Sequence, residues 1–503
     1  MLSFWRKLNG KLQQRWIMAV MACLALTNAY TMRISLSLAI TEMVASKESS
    51  SNDTSSDDTC SSIADSTSSS TSNGGTYEWD EYTQGVILSS FFWGYIVTQI
   101  PGGILADKFG GKYTLGLGIL STAIFTLLTP VVVETFDSTG LIVLRVLMGL
   151  GEGTTFPALN ALIAQWSPPQ ERSKIGTLVI TGTQVGTILG NAVSGVLIEY
   201  SSIGWPVVFY VFGGLSVLWF VVWTLLCFSG PDTHPFISDA ERKYILDSMN
   251  EQTRKHTGPI PWRHMATSAP LWALLVGKFG HDWGFFTMVT DLPLYMSNVL
   301  KFSISSNGFL TALPYVAMWI LSNLSSVLAD WLIKRGKMST TNVRKAFTTA
   351  GSVGPAIFLV AASYAGCDRV LVVTLFVIGM GLMGPFYPGL MVNGVDLSPN
   401  FSGTMMAMMT AVGAVDGMLA PYLIGILTPN QTIAEWRTVF WITFVVLLVA
   451  NLVVLFWVDG EVQYWNDLEN HSQDRKDFDH ESTPSERNVS LESKAAQNHF
   501  EVK

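Results

Sequence analysis

Residues 90–112 read SFFWGYIVTQIPGGILADKFGGK. The uncharged run reaches back to Tyr82, so 25 residues pass from Tyr82 to Ala106 without an Asp, Glu, Lys or Arg. A helix needs about 20 mainly apolar residues to cross a bilayer. The run then ends abruptly in Asp107, Lys108, Gly110, Gly111 and Lys112. The glycines permit a tight turn and close helix contact. An acid and a base at facing helix ends can pair across the resulting two-helix hairpin. The stretch reads as a membrane span with a short polar hairpin turn after it.

Eleven further stretches of that kind lie outward from it, giving spans at 16–41, 82–106, 113–133, 139–165, 174–199, 205–229, 269–298, 306–333, 346–366, 370–395, 402–428 and 435–458. Composition agrees. Of 503 residues, 49% are hydrophobic and only 14% charged, against about 25% charged in soluble domains. Mean hydropathy is +0.35. These values exclude a soluble enzyme and a disordered scaffold. A net charge of −8 offers no basic face to nucleic acid. Four Cys exclude a disulfide framework or a Cys-rich metal site, and leave a Cys60–Cys367 pairing open. No phosphate-binding Gly-Lys-Ser/Thr loop, His-Glu-x-x-His or nucleophile elbow occurs, so nothing supports catalysis.

Lys and Arg fix the orientation. With residues 1–15 in the cytoplasm, 23 of the 30 fall on the cytoplasmic side, four fall opposite, and Arg33, Arg145 and Lys278 fall inside spans. This is the positive-inside pattern with both termini cytoplasmic. The layout is a cytoplasmic N-terminus (1–15), a six-helix half (16–229), a cytoplasmic linker (230–268), a second six-helix half (269–459) and a disordered cytoplasmic tail (460–503). The linker's stretch from Asp239 to Tyr244 predicts a short surface helix. Residues 46–80 hold 18 Ser or Thr and predict a flexible extracytoplasmic loop with a glycosylation acceptor at Asn52. The sequon at Asn430 sits near the membrane, and the one at Asn488 falls inside. Gly182, Gly186 and Gly190 recur every fourth residue, which predicts a close helix–helix seam.

Buried charge marks the candidate site, because an Arg at mid-bilayer costs about 2.5–3.5 kcal/mol on insertion scales. Arg33 lies deep in the first span. Arg145 and Glu152 share a face of the fourth, about 10 Å apart. Such arginines can clasp an anion bidentately, while Glu152 compensates their charge or exchanges a proton. A structural ion pair is the competing reading. Lys278, His281 and Asp282 form one polar stripe on the seventh span. His281 is either an anion ligand or a satisfied core histidine. Asp282, Asp291 and Asp416 are further acids able to hold a coupling cation.

The turn from Gly103 through Asp107 and Gly110 to Lys112, echoed by Asp330 and Lys334-Arg335-Gly336-Lys337, resembles the signature loop of the major facilitator superfamily. These residues are expected to be a conformational latch. More specifically, Ser90–Gly103, Arg145–Gly153, Pro168–Lys174 and Asn393-Gly-Val-Asp396-Leu-Ser-Pro resemble the anion–cation symporter family, which holds sialin, the vesicular glutamate transporters and the type I sodium–phosphate transporters. The resemblance runs from about residue 16 to 465. It implies an all-α major facilitator fold of twelve transmembrane helices. It also implies cation-coupled symport of an inorganic or small organic anion such as phosphate, with Arg33, Arg145, His281 and Asn393 on the substrate and Glu152, Asp282, Asp291 and Asp416 in coupling. His281 stands where vesicular glutamate transporters carry an arginine and sialin a tyrosine. Leu88, Met148 and Asn160 replace titratable residues of those members, which favours the phosphate or broader organic-anion branch. The expected partners are a small anion and the lipid bilayer. The reading is of a monomer with no nucleic acid, no cofactor and no metal beyond a coupling Na⁺ or H⁺. The alternatives are a sialin-like or glutamate-like organic anion transporter, or an anion channel or uniporter of an organelle membrane. Residues 1–15 lack an acidic dileucine signal, which favours the plasma membrane.

Overall fold

The computed structural model describes residues 13–45, 75–168, 171–235, 237–253, 260–302 and 304–466. Asn52, Cys60, Asn488 and most of the Ser/Thr-rich loop lie outside the described residues. Among the described residues the chain is helical, apart from an isolated parallel bridge between Val44 and Tyr77 that ties together the two ends of that loop. Helices are the expected solution, because a backbone in hydrocarbon must satisfy its hydrogen bonds within the segment.

The first half comprises α1 (Gln14–Met43), α2 (Glu81–Phe109), α3 (Gly111–Glu152), α4 (Thr155–Trp166), α5 (Arg172–Tyr200) and α6 (Pro206–Leu226). The linker carries α7 (Asp239–Thr253), the expected short helix, and α8 (Trp262–Ala266). The second half comprises α9 (Ala269–Asn298), α10 (Ile304–Lys334), α11 (Thr340–Tyr364), α12 (Arg369–Met383), a π-helical turn (Tyr387–Met391), α13 (Val392–Leu397), α14 (Ser402–Leu427) and α15 (Ile433–Trp457).

Eight helical stretches among the described residues are long and apolar enough to cross a membrane by themselves. One of them, 111–166, is 56 residues long. A straight 42-residue α3 would run about 63 Å, twice the hydrocarbon thickness. It reverses instead at Asp137 (φ 53°, ψ −146°), whose carboxylate accepts a 2.7 Å hydrogen bond from Trp79 Nε1. A one-residue kink thus does the work of the loop expected between 133 and 139. The helices α2, α5 and α9, of 29, 29 and 30 residues, are of spanning length but carry more polar groups. With them the bundle has the twelve crossings that the sequence predicts.

The two ends of the bundle are distinguished by what they carry. The linker end holds α7, α8 and the turn at Gly110; the loop end holds the Val44–Tyr77 bridge. Gly110 has φ +87°, a conformation glycine adopts without steric cost, so the turn after α2 needs it. Close contact in that segment falls at Gly111, where a Cβ would lie 2.9 Å from the Ala158 carbonyl oxygen, and at Gly102. A Cβ on Gly102 would lie 2.8 Å from Thr154 Cα, whereas one on Gly103 would meet only Pro157 at 3.9 Å. The glycine stripe behaves as its spacing predicts: a Cβ on Gly182 or Gly186 would collide with the α1 backbone at Cys23 and Thr27.

Two seams join the halves at the loop end. In one, α2 meets α14, with Gly85 against Pro421 and Gly425, Tyr82 edge-on to Tyr422, and Gln431 Nε2 donating to Glu81 at 2.9 Å. In the other, α5 meets α10, with Gly308 packed on Asn191 and Gly195. Cys367 is disulfide-bonded, while Cys23 and Cys227 are free thiols.

Candidate functional site

A cavity of about 150 Å³ lies between the halves. Its walls come from α1 (Leu26, Tyr30, Arg33), α4 (Asn160), α5 (Gln184), α9 (Lys278, His281, Asp282) and the π-helical turn (Tyr387). Apart from Arg33, just past the middle of α1, the lining residues named fall from the middle of each span toward the linker end. Asn160, on that side, is exposed. The loop-end seams close the opposite side. The cavity therefore opens toward the linker end.

Arg33 lies in the wall, 7% exposed. Its Nη2 donates to Glu152 Oε1 in a buried ion pair. Its guanidinium also faces the rings of Tyr30, Phe91 and Tyr95 at 4.6, 4.7 and 4.9 Å. Cation–π contact of this kind, in a desolvated setting, is worth about 2 kcal/mol. Arg145, 3% exposed, reaches the same Phe91 ring at 4.9 Å. Phe91 thus serves two guanidiniums. Arg145 does not line the cavity; it stands behind the wall with Nε and Nη1 unpartnered. Arg33 Nε and Glu152 Oε2 are unpartnered as well. Two cations against one anion leave this cluster one positive charge in excess. Breaking a buried pair costs about 3–5 kcal/mol because the surviving charge is left bare, so exchange of Glu152 for another anion is the inexpensive way to open it.

Across the cavity, Lys278 Nζ contacts both Asp282 oxygens at 2.6 and 2.5 Å. His281 stacks on Phe386 with centroids 3.6 Å apart and planes 6° apart, and its Nδ1 has no partner. Gln184 Nε2 donates to Tyr387 Oη at 2.9 Å, a polar contact between the halves. Tyr387 opens the π-helical turn Tyr387–Met391, where Pro388 lacks the N–H that a regular helix needs.

Besides Arg145 and Glu152, three residues expected at the site stand outside the cavity wall. Asn393 is fully buried with both amide atoms unpartnered, Asp291 is 1% exposed with Oδ2 unpartnered, and Asp416 is fully buried with both oxygens unpartnered. At the expected latch, the described side chains make other contacts. Lys112 Nζ donates to the Thr224 carbonyl at 2.9 Å and sits 4.1 Å from the Phe228 ring. Among the described residues Lys112 makes no ion pair, and Asp330 is exposed and makes none either. The Asp107 side chain lies outside the described residues. Ion pairing at the linker end runs elsewhere. Arg15 bonds Glu171 at 2.7 Å and Glu241 at 3.2 Å, stapling α1 to the turn before α5 and to α7. Arg344 bonds Asp396 at 2.6 Å and the Pro388 carbonyl at 2.5 Å. Glu171 and Asp396 sit in stretches quoted above for the family resemblance, so the signal was present and their role was not. At the sequon Asn430, the side-chain amide donates to Glu435 at 2.8 Å, and Thr432 is the helix cap. Among the described residues no group of three or more His, Cys, Asp or Glu side chains is arranged to hold a metal ion.

Comparison with known proteins places this geometry. Residues 16–421 match the Major Facilitator Superfamily. Sialin of Ovis aries is 41% identical over 436 residues, covering 87% of each chain. A Drosophila melanogaster protein named "Putative inorganic phosphate cotransporter" is 39% identical over 463 residues, covering 91% of this chain and 87% of its own. Among solved structures, a bacterial homologue of the human lysosomal transporter Spinster, inward-facing and occupied, superposes with a TM-score of 0.66 at 14% identity, covering 88% of this chain and 96% of the other.

Proposed function

Because the chain belongs to the Major Facilitator Superfamily, in the family of sialin and the vesicular glutamate transporters, we propose that it is a cation-coupled symporter of a small anion. It is a multi-pass membrane transporter and not an enzyme. The leading substrate is inorganic phosphate, followed by small carboxylates. The anion enters from the loop side and replaces Glu152 on Arg33, with Arg145 adding its charge from behind Phe91. The proton or Na⁺ that accompanies it neutralises the displaced Glu152. In the empty carrier Glu152 sits on Arg33, and in the loaded carrier the anion does, so only these two rock between the loop-open and linker-open forms. Orientation follows the Lys/Arg distribution, with the linker end cytoplasmic and the plasma membrane as the site of action.

The observation that carries this reading is the excess positive charge at the wall and just behind it. Arg33 faces the cavity with one nitrogen free, and Arg145 lies behind it with two. A phosphate or carboxylate is the ligand that planar donors of this kind recognise. The experiment is uptake of labelled phosphate, glutamate, sialate and urate into proteoliposomes, with Na⁺ and H⁺ gradients imposed separately. Concentrative uptake of at least one anion, driven by one of the two gradients, is expected. Uptake of none, by protein that is folded and inserted, contradicts the reading.

A further inference from the structure

The second half carries an ionisable cluster of its own. A Cβ on Gly413 would lie 2.4 Å from Asp282 Oδ2 and 3.9 Å from Lys278 Nζ. The Lys278–Asp282 pair is therefore pressed against α14 at the one position without a side chain. Three residues further along the same face of α14 is Asp416. It is fully buried, with neither carboxylate oxygen hydrogen-bonded. It lies within electrostatic reach of Asp282 and Lys278. An ionised carboxylate in that position is costly unless a proton or a cation neutralises it.

We propose that Asp416 is a proton-carrying site of the second half, gated by Lys278. The choice of a proton over a metal cation follows from the surroundings. Na⁺ needs several oxygen ligands, but both Asp282 oxygens are engaged by Lys278, and Asp416 has no hydrogen-bonding partner at all. A proton needs only the carboxylate itself. The charged and titratable groups facing Asp416 are Lys278 and Asp282 of α9. From α2, Phe92 packs at Gly417, and Glu81 and Tyr82 stand further off at the loop end, beside Gln431 and Tyr422.

The proton balance closes within these three side chains. Asp416 is protonated while Lys278 neutralises Asp282. If Lys278 swings to Asp416, the proton leaves the Asp416 carboxyl for Asp282, which lines the cavity, and passes from there to cavity water. The linker-open form is thus the releasing form. Asp416 itself is sealed from the cavity, so release requires the lysine to move.

This inference rests on the symport reading, and its test separates the two. The first readout needs no substrate. Infrared spectra of the purified protein labelled with ¹³C-aspartate are expected to show protonated-carboxyl absorption at neutral pH that Asp416→Asn diminishes. In proteoliposomes given labelled phosphate, glutamate or sialate, Asp416→Asn is expected to keep exchange of preloaded anion within about twofold of wild type. It should also lose at least tenfold in uptake driven by a proton gradient. Asp282→Asn, a second variant, should slow both modes while keeping the band. Arg33→Ala should lose exchange and gradient-driven uptake together while keeping the band, so failure of the anion site and failure of the proton site read differently. An unchanged carboxyl band in Asp416→Asn overturns the proposal, as does unchanged proton-driven uptake or loss of a Na⁺ dependence instead.

Discussion

The two halves bring different ionisable clusters to the cavity wall and the space behind it. The first half contributes Arg33, Arg145 and Glu152 around the Phe91 ring. The second contributes Lys278, Asp282 and, one helical turn behind the wall, Asp416. One cluster has a cation to spare and the other an acid. The aromatic shelf of Tyr30, Phe91 and Tyr95 suits bare guanidiniums, whereas α14 offers Asp416 no comparable partner. On the proposed reading, the two passengers of the symporter do not share a pocket.

The largest effect should come from emptying the positive pole. Arg33→Ala removes a charged bidentate donor, and hydrogen bonds to charged groups contribute about 1.5–3 kcal/mol each. Labelled-anion uptake is expected to fall by about 100-fold or more at normal surface expression. Arg33→Lys should lose most of that as well, since an ammonium lacks the planar fork. Wild-type uptake in either variant would break the assignment of the anion to the first half.

Arg33 is also where the sequence was most legible, and the reason is physical. A charge inside an apolar run is conspicuous without any knowledge of packing, so Arg33, Arg145, Glu152, Lys278 and Asp282 all stood out. The spans were legible for the same reason, since hydrocarbon thickness fixes their length. What could not be read was adjacency between helices. Glu152 shares a helix face with Arg145 but reaches Arg33 on α1, a choice made by helix packing. Lys112 finds the Thr224 carbonyl because the end of α6 lies beside it, and no spacing encodes that. Asn393 sits in a recognisable motif yet is fully buried outside the cavity wall. The reversal at Asp137 depends on one backbone angle and on a hydrogen bond from Trp79, 58 positions away.

A smaller effect sharpens the division of labour. Glu152→Gln keeps shape and removes charge. Concentrative uptake is expected to fall about tenfold, because the first half then holds its anion too tightly and loses the acid that the anion displaces. Exchange of preloaded for external anion should persist. Equal loss of both modes would make Glu152 a structural partner of Arg33 and nothing more.

The smallest effect concerns access. Asn160→Cys replaces an exposed side chain on the linker side of the cavity and should leave uptake within about twofold. A membrane-impermeant thiol reagent should label it from the linker side only, and added anion should slow the labelling. Equal labelling from both sides would mean that the loop-end seams of Gly85 with Gly425 and Gly308 with Gly195 do not close the path.

Counterflow tests the central claim most directly. Proteoliposomes are loaded with unlabelled phosphate, or with whichever anion the uptake panel identifies, and then diluted into a trace of the labelled form. A carrier that holds its anion at Arg33 and alternates between two openings should draw label inward to a transient overshoot, and Arg33→Ala should abolish that overshoot. Label that merely equilibrates, with no overshoot despite measurable flux, would make the protein a channel and contradict the account.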